Sequence, residues 1–387
     1  MPTLYVPRGH ASLCPPYAAT FRSGRFTHAG ARLTPDRNEL SFADYQTSTY
    51  RPGFDGLRGI GFLLVLTAHI PAVTLFSYLQ GWTAVWVFFA ISGYLVTMLL
   101  IREERKTGGI AFGPFLVRRF FRIVPSYAVA VLIYGVALYT LPPLADEYEF
   151  FKEELPYYLT LMPEYTHSPV FTIFVHSWAV GVELKFYLFF PAIVFLLIRN
   201  AGWRFGVTLV AAVLLTAQGS FRAQSYCAIL AGAMLAQVLE WRRGYAVIAT
   251  LTRVPAAVPL GFVVALFVML RYVEVLPAVA AVATYLVAHV TLRDGVMRRM
   301  LSYGPLVYLG QRSYGAYLLH VLAIHIGYMA FGSTTNVGGL LTACFALAVT
   351  IPAAELLYRA VERPGMDVAR RLVERLKPAS GRERASL

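Results

Sequence analysis

The chain has 387 residues, of which 57% are hydrophobic and only 14% are charged. A soluble globular protein carries about 25% charged residues, so this chain is short of polar surface for a water-soluble fold. The formal net charge of +13 resides in short segments between apolar stretches, which favours membrane-orientation signals over nucleic-acid binding. The three cysteines are far apart and indicate neither a disulfide framework nor a metal site.

Ten apolar stretches predict an all-α, polytopic transmembrane helix bundle. Lysine and arginine concentrate in alternate connecting segments, so the positive-inside rule predicts that both termini lie in the cytoplasm. The long connection 142–177 then lies outside, and it is acidic and aromatic. The predicted spans are 59–77, 82–101, 123–141, 178–198, 205–219, 225–240, 257–273, 276–291, 303–331 and 337–361.

The spans define a single membrane domain, residues 51–365. The preceding residues, 1–50, are polar and contain proline, which predicts a flexible cytoplasmic arm. The residues after the domain, 366–387, form a basic cytoplasmic tail. One polytopic domain therefore accounts for the chain better than two or three soluble domains.

Three ionisable residues lie within the first span or just before it, and such residues are costly in lipid unless they have partners or a function. Asp55 and Arg58 are three residues apart, so they can pair at the inner end of the span. His69 shares a helix face with Arg58, about 16 Å further along the axis. This pattern predicts a basic cytoplasmic entrance that leads to an imidazole near the bilayer midplane. A histidine on an apolar face can also be a packing residue alone.

A basic cluster precedes the third span in the stretch FLVRRFFRIVPSY. Arg118, Arg119 and Arg122 lie at the inner end of that span. They can act as positive-inside anchors whose side chains reach the headgroups. They can equally form a phosphate clamp, because guanidinium groups bind phosphate oxygens in a bidentate manner.

The fourth span begins in HSWAVGVELKFYLFFP, where Trp178 precedes a glutamate inside the apolar run. Glu183 lies about one and a half turns from the outer end, and Tyr187, four residues later, shares its helix face. Lys185 lies about 200° round the helix from Glu183, so we do not expect the two to pair. A carboxylate is so costly in lipid that we interpret Glu183 as functional.

The ninth span places three polar residues on one helix face in the stretch GQRSYGAYLLH. Ser313, Tyr317 and His320 follow the spacing i, i+4, i+7. Such a stripe is typical of interhelical hydrogen bonds that hold a bundle together. It fits substrate binding equally well, and both interpretations stay open.

Six motifs occur along the chain in a characteristic order: FDGLRG followed by His69, FFAISGYLV, RRFFRIVPSY, SWAVGVELKFYLFFP, SYGAYLLH and ERP. Together they resemble the membrane-bound acyltransferase type 3 family over residues 51–365. The resemblance implies about ten spans, an acyl-CoA donor bound from the cytoplasm, and transfer of the acyl group to a hydroxyl. In this family the hydroxyl is commonly on a glycan.

The resemblance also assigns roles to individual residues. The family's arginine–histidine pair corresponds to Arg58 and His69. Its basic motif corresponds to Arg119 and Arg122, with Arg118 beside them, and its glutamate after the tryptophan corresponds to Glu183. The family commonly has a second glutamate and a glutamine next, where this chain has Leu184 and Lys185. That departure leaves Glu183 matched but weakens any role for the two residues that follow it.

We therefore expect an integral O-acyltransferase of the cell inner membrane that uses acyl-CoA. The resemblance favours acetyl as the acyl group, and succinyl or a longer chain stays open. We expect no permanently bound cofactor and no metal. The donor's phosphates bind Arg58 and the basic cluster, His69 acts as the general base, and Glu183 orients the imidazole or binds the acceptor. The acceptor is a saccharide hydroxyl of an exopolysaccharide, an O-antigen or a lipid-linked glycan. The residues expected to support the substrates or the site are Asp55, Trp178, Tyr187, Ser313, Tyr317 and His320.

Two other classes of membrane protein compete with this interpretation. In a transporter or flippase for a lipid-linked sugar, His69 and Glu183 would relay protons. The sequence has no paired broken helices in corresponding halves, which are typical of transport sites. A scaffolding membrane protein would explain the hydrophobicity but not the buried ionisable residues. Consumption of acyl-CoA separates the enzyme from both.

Overall fold

The computed structural model describes residues 39–48, 51–166, 173–254, 261 and 276–376. These residues form helices joined by short connections, and the one extended contact among them is a bridge between Glu39 and Arg293. A helix satisfies its backbone hydrogen bonds internally, which a chain in lipid requires. The all-α fold predicted from the sequence is confirmed for this part of the chain.

Fifteen α-helices are present in the described residues, and two π-helical segments, Ala192–Leu197 and Tyr358–Glu362, continue α7 and α14. The helices are α1 Phe42–Thr47, α2 Pro52–Ala68, α3 Thr74–Tyr78, α4 Ala84–Thr107, α5 Phe112–Thr140, α6 Ala145–Leu159, α7 Trp178–Pro191, α8 Ala201–Ala217, α9 Phe221–Leu239, α10 Arg242–Leu251, α11 Leu276–Leu292, α12 Val296–Leu301, α13 Gly304–Phe331, α14 Asn336–Leu357 and α15 Arg363–Leu376.

Five helical stretches in the described residues are long and apolar enough to cross a membrane, and they match predicted spans two, three, four, nine and ten. α8 and α11 are shorter apolar helices at predicted spans five and eight. Predicted span 257–273 lies outside the described residues, apart from Gly261. The total of ten spans and the cytoplasmic position of the termini stay predictions. The five stretches are Gly81–Thr107, Phe112–Thr140, Val175–Leu197, Gly304–Phe331 and Asn336–Arg375.

The first predicted span, 59–77, has the wrong boundaries. Its helix, α2, begins at Pro52, because proline at the first helical position is pre-organised for a helix and lacks only an N–H that would be unpaired there. The helix ends at Ala68, three residues before Pro71, which disfavours a helical conformation at the residue preceding it. His69 therefore caps the C-terminal end of α2 rather than lying inside a continuous helix.

Glycines allow close contact between the helices that carry the site. A Cβ atom at Gly310 of α13 would lie 1.7 Å from the carbonyl oxygen of Asp55 on α2. A Cβ atom at Gly93 of α4 would likewise lie 1.8 Å from the carbonyl oxygen of Ile229 on α9. Small residues are typical of helix–helix contacts in membranes, where close backbone packing replaces the hydrophobic driving force.

The end of the predicted N-terminal arm, residues 39–48, packs against the bundle. Arg102 of α4 donates hydrogen bonds to the carbonyl oxygens of Tyr45, at 2.6 Å, and Ser48, at 2.5 Å. Burial raises the pKa of Tyr245 to about 12, so its hydroxyl keeps its proton, and it donates to the carbonyl of Leu40. The earlier part of the arm, 1–38, lies outside the described residues.

Candidate active site

Three histidines from separate parts of the chain meet near the C-terminal end of α2. His69 caps α2, His320 lies on α13 and His176 lies just before α7. The Nε2 atom of His320 is 3.3 Å from Nδ1 of His69, and the two ring centres are 4.8 Å apart. The ring of His176 is centred 5.1 Å from that of His320 and 6.2 Å from that of His69. We call these three residues the histidine cluster.

The backbone contacts of the cluster determine which ring nitrogen carries a proton in the neutral rings. Nδ1 of His69 is 2.9 Å from the carbonyl oxygen of Val65, and Nδ1 of His320 is 2.6 Å from that of Tyr317. A carbonyl oxygen only accepts, so both Nδ1 atoms donate. Nε2 of His320 then presents a lone pair to the Nδ1 proton of His69. Nε2 of His69 keeps its lone pair, the state that a general base needs.

Contacts between α13 and the segment before α7 hold His176 in place. His176 is buried, and its Nε2 donates to the carbonyl oxygen of Leu318 at 3.2 Å. The hydroxyl of Tyr317 donates to the carbonyl oxygen of His176 at 2.6 Å. His320 is fully buried, whereas His69 is only partly buried. His69 is therefore the catalytic candidate, because it is the member of the cluster that a substrate can reach.

His176 is the residue that sequence reasoning missed. It stands two residues before Trp178, at the start of an apolar span, where a titratable side chain is a signal for function in a membrane protein. Nothing in the local sequence indicates its neighbours, because His69 and His320 are far away in the chain.

Glu183 lies in a second polar group, formed by α4, α5 and α7. Its Oε1 atom accepts a hydrogen bond from the hydroxyl of Ser92, at 2.5 Å, and another from the hydroxyl of Tyr187. The contact with Tyr187 follows from the spacing of four residues. The guanidinium of Arg119 lies 5.0 Å from the centre of the Tyr187 ring. One predicted arginine is thus close to the predicted glutamate.

The other arginines lie in the N-terminal halves of α2 and α5. Nη1 of Arg58 is 3.5 Å from Oδ1 of Asp55, the pair that the sequence predicts. Arg118 and Arg122 lie in the N-terminal half of α5 and are partly exposed. Nη1 of Arg122 is 3.8 Å from the sulfur of Met366.

α13 connects the arginine-bearing region with the histidine cluster. The hydroxyl of Tyr314 donates to the carbonyl of Ile123, which adjoins Arg122, at 2.9 Å. Tyr317 contacts His176, and His320 contacts His69. Six residues separate the first and last of these contacts, about 9 Å along a helix. We call this face of α13 the tyrosine–histidine stripe; it is defined by Tyr314, Tyr317 and His320.

Two predicted support residues have other surroundings. Trp178 packs in an aromatic cluster, with its ring 5.2 Å from that of Phe221 and 6.1 Å from that of Trp86. Ser313 is buried on α13, one turn before Tyr317. Lys185, which we did not expect to pair with Glu183, forms an ion pair with Glu164.

The sequence profile of the acyltransferase 3 family, described as an acyltransferase domain, matches residues 51–359, most of the chain. The chain belongs to this family. The resemblance inferred from the six motifs is confirmed, and the histidine cluster, Glu183 and the arginines all lie within or between helices of the matched domain.

Two curated relatives of the chain are named as O-acetyltransferases. The peptidoglycan O-acetyltransferase OatA of Listeria monocytogenes is 26% identical over 353 residues, which cover 81% of this chain and 56% of that protein. The O-acetyltransferase OatA of Staphylococcus aureus (strain NCTC 8325) is 32% identical over 160 residues, 39% of this chain and 26% of that protein. The chain thus spans little more than half the length of the first relative and less of the second. No solved structure matches the chain.

Proposed function

We propose that this chain is a membrane O-acetyltransferase that moves an acetyl group from cytoplasmic acetyl-CoA to a saccharide hydroxyl. Family membership and the O-acetyltransferase names of its relatives support the reaction class. The observation that carries the proposal is the position of Nδ1 of His69, which lies 2.9 Å from the carbonyl oxygen of Val65 and 3.3 Å from Nε2 of His320. Because a carbonyl oxygen only accepts, Nδ1 holds the proton and Nε2 is left as the base.

The donor enters from the end of the bundle that carries Arg58 and the arginines of α5, which we call the basic end. Arg58, Arg118, Arg119 and Arg122 bind its phosphates, because guanidinium groups match phosphate geometry and keep their charge. The pantetheine arm then follows the tyrosine–histidine stripe towards His69, which places the thioester beside the base. Acetyl-CoA is a substrate and leaves as coenzyme A, so the proposal needs no permanently bound cofactor.

The reaction is a direct acyl transfer. Nε2 of His69 removes the proton of the acceptor hydroxyl while the hydroxyl oxygen attacks the thioester carbonyl. The tetrahedral intermediate collapses, the carbon–sulfur bond breaks, and His69 returns the proton to the sulfur of coenzyme A. The products are the O-acetyl ester and free coenzyme A, and the enzyme returns to its starting protonation state.

His320 and Glu183 have different roles in this step: His320 orients the base, and Glu183 binds substrate. When His69 carries a second proton, its Nδ1–H still donates to Val65 and His320, so the imidazolium is held in place and stabilised. His320 rather than Glu183 is therefore the group that orients the base. Glu183 lies near Arg119 on the donor route, and we assign its carboxylate to binding substrate N–H or O–H groups.

The acceptor approaches from the end of the bundle opposite the arginines. The name of the Listeria relative makes peptidoglycan the first acceptor to test. Exopolysaccharide, O-antigen and lipid-linked glycans are the other saccharides that the proposal includes. We place the enzyme in the cell inner membrane, where both acetyl-CoA and a nascent glycan are accessible.

The proposal is tested by acetyl-CoA turnover in the full-length chain, purified and reconstituted in nanodiscs with saccharide acceptors. Thiol release and mass spectrometry of the acceptor measure transfer. His69→Ala should lower kcat by about 10²- to 10⁴-fold, the usual contribution of a general base. The matched control is His289→Ala, a histidine of α11 outside the cluster. Near-normal turnover by His69→Ala contradicts the assigned base, and wild-type protein that releases no thiol but moves a lipid-linked sugar is a transporter.

A further inference from the structure

A cavity at the basic end of the bundle is separate from the histidine cluster. It has a volume of about 270 Å³. It lies between the last turn of α4, the end of α9, the first turn of α8 and the segment that joins α7 to α8. Its charged lining residues are Glu104, Arg105, Arg199, Arg204 and Glu240.

Four of these five charges neutralise one another. Arg204 binds Glu104 in a bidentate manner, with nitrogen–oxygen distances of 2.5 and 2.7 Å. Arg105 forms an ion pair with Glu240, and Oε1 of Glu240 also lies 3.7 Å from Nε of Arg102, which is not a lining residue. Arg199 is exposed and has no ion pair among the residues that the structure describes. The excess positive charge of the cavity therefore rests on Arg199, whose N–H groups are available to an anion.

The surface beside the cavity is apolar. Leu197 is 77% exposed and Trp203 is 72% exposed, and both lie close in sequence to lining residues. In a chain that spans a membrane, such side chains face lipid acyl chains, and tryptophan favours the level of the headgroups. A ligand at this position meets an arginine at one end and a hydrocarbon-facing surface at the other.

The lining of the cavity includes a buried hydrogen-bond acceptor that needs a donor. Gln237 is only 5% exposed, and its Nε2 donates to the hydroxyl of Thr208 at 3.2 Å. Its Oε1 has no hydrogen-bond partner within the described part of the chain. A buried amide oxygen without a partner is costly, and a hydroxyl of a bound headgroup would relieve that cost.

We propose that this cavity binds the headgroup of an anionic phospholipid that carries hydroxyl groups, of the phosphatidylglycerol type. Its phosphate accepts hydrogen bonds from Arg199, its single negative charge balances the excess charge of the cavity, and a hydroxyl reaches the Gln237 end. The acyl chains lie along Leu197 and Trp203. Basic pockets between helices on the cytoplasmic side bind anionic headgroups such as that of cardiolipin. The bound lipid joins α4, α8 and α9.

The test is native mass spectrometry of the full-length chain in detergent, titrated with phosphatidylglycerol or with phosphatidylcholine. One phosphatidylglycerol should bind in preference to phosphatidylcholine. Arg199→Gln should weaken its binding roughly tenfold, the loss expected for one hydrogen bond to a charged group. Arg299→Gln, which changes an exposed arginine of α12 outside the cavity, should bind as the wild type does.

Three results would overturn the proposal. The first is equal binding of the two lipids, and the second is equal weakening by Arg199→Gln and Arg299→Gln. The third is displacement of phosphatidylglycerol by millimolar inorganic phosphate or ADP, which would identify the ligand as a soluble phosphate compound. None of these measurements depends on acetyl transfer, so they test the cavity independently of the proposed reaction.

Discussion

At the scale of single residues, the partner of the proposed base is a neutral imidazole rather than a carboxylate. His320 is fully buried, and a carboxylate there would add a second charge to a site from which water is largely excluded. The lone pair on Nε2 of His320 gives the same orientation to His69 without that cost. The site can therefore stabilise an imidazolium that exists only during turnover.

Removing the nitrogen lone pair of His320 should impair turnover more than substrate binding. His320→Phe keeps an aromatic ring but cannot accept the Nδ1–H of His69, so kcat should fall by about 10- to 100-fold, the cost of one hydrogen bond to a charged group. The KM for acetyl-CoA should stay close to the wild-type value, and His320→Gln, which retains an acceptor, should recover part of the loss. A raised KM with normal kcat would contradict an orienting role.

His176 should contribute mainly through packing. Its ring contacts both other histidines and lies 5.2 Å from the ring of Phe174. His176→Ala would leave a cavity in this aromatic surrounding and should lower the free energy of unfolding by about 3 kcal/mol. His176→Phe, which fills the space, should recover most of that loss in thermal denaturation of the reconstituted protein. An equal loss in both variants would show that the hydrogen bond to Leu318 outweighs packing.

At the scale of helices, the contact between α2 and α13 sets the geometry of the site, because α2 ends at His69 and α13 carries His320. The backbones meet at glycines, so the separation of these helices is set far from the histidines. Gly310 packs against the carbonyl of Asp55 near the opposite end of α2. A change in that spacing would be transmitted along two rigid helices to the 3.3 Å contact between the rings.

Gly310→Ala should therefore disturb both stability and catalysis. The added Cβ would lie 1.7 Å from the carbonyl oxygen of Asp55, so the helices must separate, at a cost of about 1–3 kcal/mol. Gly206→Ala is the matched control, since Gly206 lies inside α8 and a Cβ added there would meet no atom within 4 Å. The control should be neutral or gain up to about 1 kcal/mol from its higher helix propensity. Thermal denaturation and turnover measure both effects, and equal behaviour of the two variants would exclude close packing as the cause.

At the scale of the whole molecule, sequence predicted the contacts that helix geometry sets locally. Asp55 and Arg58 pair at a spacing of three, and Glu183 and Tyr187 meet at a spacing of four. The contact between His69 and His320 depends on how two distant helices pack, which no local pattern encodes. The first predicted span extends beyond Ala68, where the helix ends, because the residues after His69 are mostly apolar. Pro71 is the sequence signal for the end of the helix.

The charge distribution of the molecule predicts which end faces the cytoplasm. α15 packs on the N-terminal half of α5, where Gly365 lies against the carbonyl of Phe121. α6 packs at the other end of α5, where the rings of Tyr139 and Tyr148 are 5.5 Å apart. The stretch from 121 to 139 spans about 27 Å of helix, close to the thickness of the hydrocarbon core. Basic α15 and acidic α6 should therefore lie on opposite sides of the membrane.

Cysteine labelling in intact cells tests this orientation. In a background without Cys14, Cys227 and Cys344, a membrane-impermeant maleimide should label Lys152→Cys, an exposed position of α6, in intact cells. Arg371→Cys, an exposed position of α15, should react only after the cells are permeabilised, because basic segments stay in the cytoplasm. The reverse pattern would put the arginines outside, away from cytoplasmic acetyl-CoA. The donor route along α13 would then be untenable even if the histidine cluster were intact, so this measurement tests the direction of the proposed transfer independently of its chemistry.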